Sequence, residues 1–218
     1  MPSTRYQKIN AHHYRHIWVV GDIHGEYQLL QSRLHQLSFF PKIDLLISVG
    51  DNIDRGPESL DVLRLLNQPW FTSVKGNHEA MALEAFETGD GNMWLASGGD
   101  WFFDLNDSEQ QEAIDLLLKF HHLPHIIEIT NDNIKYAIAH ADYPGSEYLF
   151  GKEIEESELL WPVDRVQKSL NGELQQINGA DYFIFGHMMF DNIQTFANQI
   201  YIDTGSPNSG RLSFYKIK

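Results

Sequence analysis

The sequence predicts an α/β fold in which a central β-sandwich of two mixed sheets is flanked by helices. Three observations lead there. Apolar runs of four or five residues recur, each stopped by glycine or a polar residue, the pattern of strands buried on both faces. In the first third of the chain these runs alternate with amphipathic helical stretches, and β-α-β-α order goes with helical crossovers. After residue 125 the character changes to hairpin and meander, with Asn, Asp and Gly in the turns. At 218 residues and 42% hydrophobic content the chain can bury a substantial core. It shows no linker and no repeat, so one domain over residues 1–218 is expected.

Residues 17–20 (I-W-V-V) form the first predicted strand and run into Gly21-Asp22-Ile23-His24-Gly25. Asp22 and His24 are two apart, so an extended backbone would project both to one side. Leu30, Leu34 and Leu37 then keep helical spacing. Residues 45–49 form a second strand, which ends in Gly50-Asp51-Asn52-Ile53-Asp54-Arg55-Gly56, and Leu60, Leu63 and Leu66 mark the next helix. A third strand at 71–74 runs into Lys75-Gly76-Asn77-His78-Glu79. From near Glu79 a helical layer is expected, broken at 89–92 and at Gly98-Gly99 and resumed at 109–123 behind the capping pair Asp107-Ser108. Its tryptophans and phenylalanines read as core.

Residues 126–130 and 134–139 flank Asn131-Asp132-Asn133 as a hairpin that ends in His140-Ala141-Asp142. The polar stretch 143–180, acidic at Glu153, Glu155, Glu156 and Glu158, reads as a surface excursion. Residues 182–185 are a strand ending in Gly186-His187, and 193–196, 200–203 and 212–217 close the chain as a meander.

Composition narrows the chemistry. With no cysteine, disulfides and thiolate metal sites are excluded. No apolar run is long enough for a membrane span and the N-terminal stretch has no apolar core, so a cytoplasmic protein is expected. A net charge of −14 argues against nucleic-acid binding. It also means that a phosphorylated ligand would be attracted only locally, by metal ions or a few arginines. His12, His13 and His16, and His121, His122 and His125, read as surface or capping residues.

Five strand ends carry Asp22 with His24, Asp51, Asn77, His140 and His187. Loops at one edge of a sheet converge in space. Two carboxylates, three imidazoles and an amide suit Mn, Fe or Zn better than Ca. Six ligands are too many for one open site. They match two ions sharing Asp51, ~3.5–4 Å apart, with an activated water attacking phosphorus. Arg55 is placed to clamp phosphate oxygens. His78 is placed to protonate the leaving group, and Asp54 to hold His78 in the needed tautomer.

The motifs at Gly21–Gly25, Gly50–Gly56 and Gly76–Glu79 resemble the three signature motifs of the PPP-type metallophosphatases, the group of the bacteriophage and bacterial serine/threonine protein phosphatases. The resemblance runs over nearly the whole chain, including His140-Ala141-Asp142-Tyr143-Pro144 and Tyr201-Ile202-Asp203-Thr204-Gly205. It implies a four-layer, calcineurin-like metallophosphatase domain with two divalent ions, usually Mn2+, and attack by a water bridging them. It places ligand roles on Asp22, His24, Asp51, Asn77, His140 and His187, acid catalysis on His78 with Asp54, and phosphate binding on Arg55. A monomer acting on a phosphoprotein or phosphopeptide is the expectation, with phosphotyrosine left open. The alternatives are a diadenosine tetraphosphate hydrolase and, more remotely, an inactive metal-binding interaction module. Three residues depart from the pattern: Met188 where relatives carry Thr, Lys75 where Arg is common, and Val163 where a phosphate-binding Arg is common. Arg165 is the candidate to reach back into the cleft in place of the last. Surface pairing with Asp164 or a glutamate is the competing reading.

Overall fold

The computed structural model describes residues 4–218; residues 1–3 of the N-terminal stretch lie outside it. Strands β1 (Tyr6–Asn10) and β2 (Ile17–Val20) precede helix α1 (Tyr27–Gln36), then β3 (Leu45–Ser48), α2 (Ser59–Arg64) and β4 (Phe71–Ser73). Helices α3 (Asn77–Thr88), α4 (Asn92–Ala96) and α5 (Asp107–Leu117) follow without an intervening strand. The hairpin β5 (Ile126–Asn131) and β6 (Ile134–Ile138) leads to the short helices α6 (Ser157–Leu160) and α7 (Asp164–Leu170). The chain closes with β7 (Tyr182–Phe185), β8 (Gln194–Phe196), β9 (Gln199–Tyr201), α8 (Ser206–Ser209) and β10 (Phe214–Lys216).

Two sheets pack face to face. One has six strands in the order β1-β5-β6-β7-β9-β8, the other four in the order β10-β2-β3-β4. The period of two along each strand decides which side chains meet. Ile17, Val19, Leu45 and Ile47 point inward against Ile127, Ile129, Ile138 and Ile184 in one fully buried cluster. Each such side chain is worth roughly 1.5–3 kcal/mol of burial. The alternate residues Val20, Leu46 and Phe71 face outward and are covered by Leu30 and Leu34 of α1 and Val62 of α2. The hairpin turns through two residues, Asp132 (φ 50°) and Asn133 (φ 67°), whose amide and carboxylate side chains tolerate the left-handed region.

Some expectations need correction. Residues 143–180 are not a surface excursion. Tyr143, Tyr148, Leu159, Leu160, Val166 and Ile177 are buried against Phe183, Phe185 and Tyr201 on the outer face of the six-stranded sheet, forming its covering layer. The acidic run hid apolar residues that have no regular period. β1, absent from the sequence reading, pairs in parallel with β5 (Tyr6↔Ile126); its Y-Q-K-I-N carries too little apolar alternation to be recognised. β10 leaves the meander and pairs antiparallel with β2 in the other sheet (Phe214↔Val20). His125 is buried, held between the Arg5 amide N–H and the Glu156 carboxylate. No helix among the described residues is long and apolar enough to cross a membrane.

β2, β3 and β4 run parallel to one another, as do β6 and β7. Their carboxyl ends deliver the polar motifs to one edge of the sandwich, where ligands bind in sheets of this kind.

Candidate active site

The backbone that presents these motifs is unusual. Among the described residues nine non-glycine positions have positive φ, and five are His24 (47°), Asp51 (50°), Asp54 (73°), Arg55 (69°) and His187 (63°). Asp22 and His24 therefore do not lie on an extended segment; His24 turns into the left-handed region. Such conformations cost of order 1–3 kcal/mol each and persist where surrounding bonds over-determine them. Here the Ile23 and His24 amides both donate to the Asp51 carbonyl, at 3.1 and 2.9 Å. The buried Glu79 carboxylate accepts from the amides of Asp51 (2.8 Å), Asn52 (2.7 Å) and Gly76 (2.8 Å). Gly76 is required, since a Cβ there would collide with the Asp51 carboxylate and backbone nitrogen.

Asp22, His24, Asp51, Asn77, His140 and His187 come together at this edge. His24 Nδ1–H donates to the Ile53 carbonyl (2.9 Å) and His140 Nδ1–H to the Val49 carbonyl (2.8 Å), which leaves both Nε2 atoms as lone pairs turned inward. His140 Nε2 lies 2.7 Å from Asn77 Oδ1, and His187 Nδ1 lies 3.1 Å from the same oxygen. With Nδ1–H committed to Val49, His140 Nε2 and Asn77 Oδ1 are two acceptors face to face, a pair that repels unless a cation joins it. Asp51 faces two ways: Oδ1 is 3.4 Å from His140 Nε2, and Oδ2 is 3.7 Å from His24 Nε2. Ligand atoms ~2.0–2.2 Å from one ion stand roughly 3–3.5 Å apart; the 3.1 and 3.4 Å separations fall in that range and the 2.7 and 3.7 Å ones lie just outside it. The donor set, oxygen and imidazole without sulfur, fits Mn, Fe or Zn.

Charge points the same way. Burial, then Asp203 and Asp51, raises the pKa of Asp22 well above the ordinary carboxylate value. Burial also pushes Asp203 up to about 6 and, with Asp51, Glu79 up to about 7. Asp51 is held low: burial opposes its ionisation, but His140, His78 and His24 outweigh it. A site that concentrates four buried carboxylates calls for positive charge. Burial drives His24 down to about 3 and His187 to about 4, and lowers His140, which keeps these rings in the neutral form that ligates metal.

His78 is different. Burial lowers its pKa, but Asp51 and the hydrogen bond to Asp54 prevail and the net direction is up. Its Nδ1 donates to Asp54 Oδ2 at 2.7 Å. Asp54, fully buried, also accepts from the indole N–H groups of Trp94 (3.0 Å) and Trp101 (2.8 Å). The guanidinium of Arg55 spans the site, 2.9 Å from His24 Nε2 and 2.9 Å from His78 Nε2. Sequence reasoning took the tryptophans only as core. Both are core and both fix Asp54. Their signal was position, since they flank Gly98-Gly99, where the Gly98 carbonyl receives the Arg55 amide. Glu79 and Asp203 were also missed as buried carboxylates of the site.

Arg165 requires a correction. It is buried, with Nε on Asp142 Oδ1 (2.8 Å) and one terminal nitrogen on the carbonyls of Tyr143 (2.9 Å) and Gly145 (2.7 Å). Neither the cleft contact nor the surface pairing describes it. The guanidinium is used in fixing the loop after His140. Lys75 pairs with Glu156 at 2.7 Å, and Val163 is half-buried beside the apolar layer. Trp161, 42% exposed, stands edge-on to His187 with ring centroids 6.5 Å apart.

The geometry has counterparts among known proteins. The chain is 60% identical over its full length to serine/threonine-protein phosphatase 2 of Salmonella typhimurium, covering all of that protein. It is 44% identical to serine/threonine-protein phosphatase 1 of the same organism over 100% of this chain and 99% of the relative. A symmetrical bis(5'-nucleosyl)-tetraphosphatase of Erwinia tasmaniensis is 32% identical over 57% of this chain and 43% of its own length. The crystal structure of a putative diadenosine tetraphosphatase superposes with a TM-score of 0.73 over 98% of this chain and 94% of its own, at 23% identity, and so shows the fold alone. The model of the calcineurin-like phosphoesterases matches residues 15–190, a stretch containing all six inward-facing donors, and the chain belongs to that family.

Proposed function

We propose that the protein is a metal-dependent phosphomonoester hydrolase acting on phosphoserine and phosphothreonine in proteins, with two divalent ions, Mn2+ foremost, held by Asp22, His24, Asp51, Asn77, His140 and His187. The observation that carries this reading is the two-sided Asp51 carboxylate, one oxygen toward His140 and the other toward His24. The full-length similarity to two proteins named as serine/threonine phosphatases supports the substrate class. When bound, the ions supply positive charge for the phosphoryl oxygens and an activated water, whose pKa such sites bring toward ~7.

The chain's own residues do the rest. Arg55 offers a planar fork of donors to phosphoryl oxygens from beside His24 and His78. His78 turns Nε2 toward the cleft because Nδ1–H is committed to Asp54, and from there it delivers a proton to the departing serine or threonine oxygen. Burial raises the Asp54 pKa, and the hydrogen bonds from His78, Trp101 and Trp94 work against that rise while fixing the carboxylate in place. With Val163 uncharged and Arg165 engaged by Asp142, Arg55 is the arginine of the phosphate site.

The test is metal analysis of purified protein with phosphopeptide, p-nitrophenyl phosphate and diadenosine tetraphosphate assays beside it. Two equivalents of Mn2+, activity abolished by chelator and restored by Mn2+, and turnover of the phosphopeptide are expected. Asp51→Asn should weaken both ions together. Full turnover by metal-stripped protein, or hydrolysis of the dinucleotide to the exclusion of phosphopeptides, would refute the reading.

A further inference from the structure

Between Lys75 and Lys119 the chain carries ten Asp and Glu residues and no Lys or Arg, a large share of its net −14. This segment folds as α3, α4, the turn Gly99–Asp104 and α5, and it delivers His78, Trp94 and Trp101 to the active site. Its outer face is not uniformly polar. Met93 is 61% exposed and Phe103 64%, and Phe86 and Leu95 are also exposed. Phe86, Leu95, Phe102 and Phe103 line a groove of about 370 Å3 whose wall includes the ring of Trp94. The same indole donates to Asp54, so the groove lies one side chain from the catalytic pair. Asp90 lines the groove, and Asp100 and Asp104 stand exposed on the following turn. The lobe's ion pairs to basic groups, among the described residues, are Arg64–Glu112 and His121–Glu87; these three aspartates have none.

We infer that this lobe is a docking surface for the phosphoprotein substrate, taking a Lys- or Arg-containing segment near the phosphorylated residue and one apolar side chain of it in the groove. The inference rests on the protein phosphatase reading above. Charge complementarity selects the occupant. A phosphomonoester brings about −1.5 to −2 of charge to a protein of net charge −14, where the arginine facing the site is Arg55. A substrate with its own cations beside the phosphate offsets that repulsion and is steered toward the acidic lobe. Lysine and arginine stems also pack on apolar surface while their heads reach carboxylates, which matches a groove of aromatic rings lined by Asp90, with Asp100 and Asp104 exposed on the turn that carries Phe102 and Phe103. Acidic peptides and nucleotides are disfavoured by the same field.

The experiment compares two phosphopeptides, on Mn2+-loaded protein, that share a phosphothreonine and a leucine but carry either Arg and Lys or Glu in the flanks. At low ionic strength kcat/KM should be at least about 10-fold higher for the basic peptide. At about 0.5 M NaCl, where screening shortens the range of exposed charges to a few ångström, the ratio should fall to roughly twofold. The triple variant Asp90→Asn, Asp100→Asn, Asp104→Asn should lose most of the preference through KM. Phe103→Ser should lower kcat/KM for the leucine-containing basic peptide at least about fivefold. Both variants should leave p-nitrophenyl phosphate turnover unchanged, which also reports that they fold. Equal kcat/KM for the two peptides in the unaltered protein, or a preference that survives the triple substitution, overturns the docking surface and leaves the phosphatase reading standing. Turnover of p-nitrophenyl phosphate with neither peptide hydrolysed overturns both.

Discussion

Replacing Asp54 by asparagine tests the division of labour in the site, because it removes a charge while keeping shape. Asp54 and His78 are buried, their side chains 0% and 1% exposed, and joined at 2.7 Å. A hydrogen bond to a charged group in such a place contributes about 1.5–3 kcal/mol, and 1.36 kcal/mol is one pKa unit. Losing the anion should therefore lower the His78 pKa, since the Asp54 hydrogen bond and charge both raise it. The sign follows from the role. Asp54 helps to raise the pKa of His78; in the proposed acid role the protonated ring is the active form, so activity should fall as pH rises through that pKa. In the variant the basic limb of the kcat profile should move to lower pH. Near neutral pH, kcat on phenyl phosphate should drop by roughly 10²–10³-fold, within the range of general acid catalysis. On p-nitrophenyl phosphate, whose leaving group departs with little protonation, the loss should be about 10-fold or less. Asp54 touches none of the six inward-facing donors, so metal content should hold. Equal losses on both esters, or loss of an ion, would refute the acid role.

Two further changes probe the surroundings. Arg165→Met strands Asp142 in a buried setting, and breaking such a pair costs about 3–5 kcal/mol. Tm should fall by roughly 6–20 °C with kcat/KM nearly unchanged; an unchanged Tm with a large loss of kcat/KM would return Arg165 to the phosphate site. Glu156 is held down to about 2 by the hydrogen bond from His125, against burial and with help from Lys75. A depressed carboxylate pKa contributes stability that is present above about 4.5 and is lost as pH falls toward 2. The Tm gap between the unaltered protein and Glu156→Gln should thus be full at pH 7 and narrow below pH ~4.5. A gap independent of pH would assign the effect to packing.

The strands that end in site residues were legible because each combines an all-apolar run with an abrupt polar stop, as at Ser48-Val49-Gly50-Asp51. Their convergence followed from the parallel order of β2, β3 and β4. Contacts that join distant segments were not legible. Nothing local to Trp94 or Trp101 says that both indoles reach Asp54, 40 and 47 residues earlier. Arg165 was misread for the same reason, since its partner Asp142 lies 23 residues back, beyond an irregular stretch. The layer at 143–177 escaped because Tyr143, Ile154 and Ile177 are buried singly, without a helical or strand period to mark them.

The placement of the six donors has a consequence for the life of the molecule. Asp22, His24, Asp51 and Asn77 follow strands of the four-stranded sheet, whereas His140 and His187 follow strands of the six-stranded one. On the proposed ligand assignment, ions shared among them would act as a clasp across the sandwich. Ligation favours the closed chain by about 2.7 kcal/mol when free metal is 100-fold above its dissociation constant, against a typical total of ~5–15 kcal/mol. Metal supply would then govern the lifetime of the polypeptide as well as its turnover. A copy deprived of ions would then open more readily along the seam, which faster limited proteolysis in chelator would report.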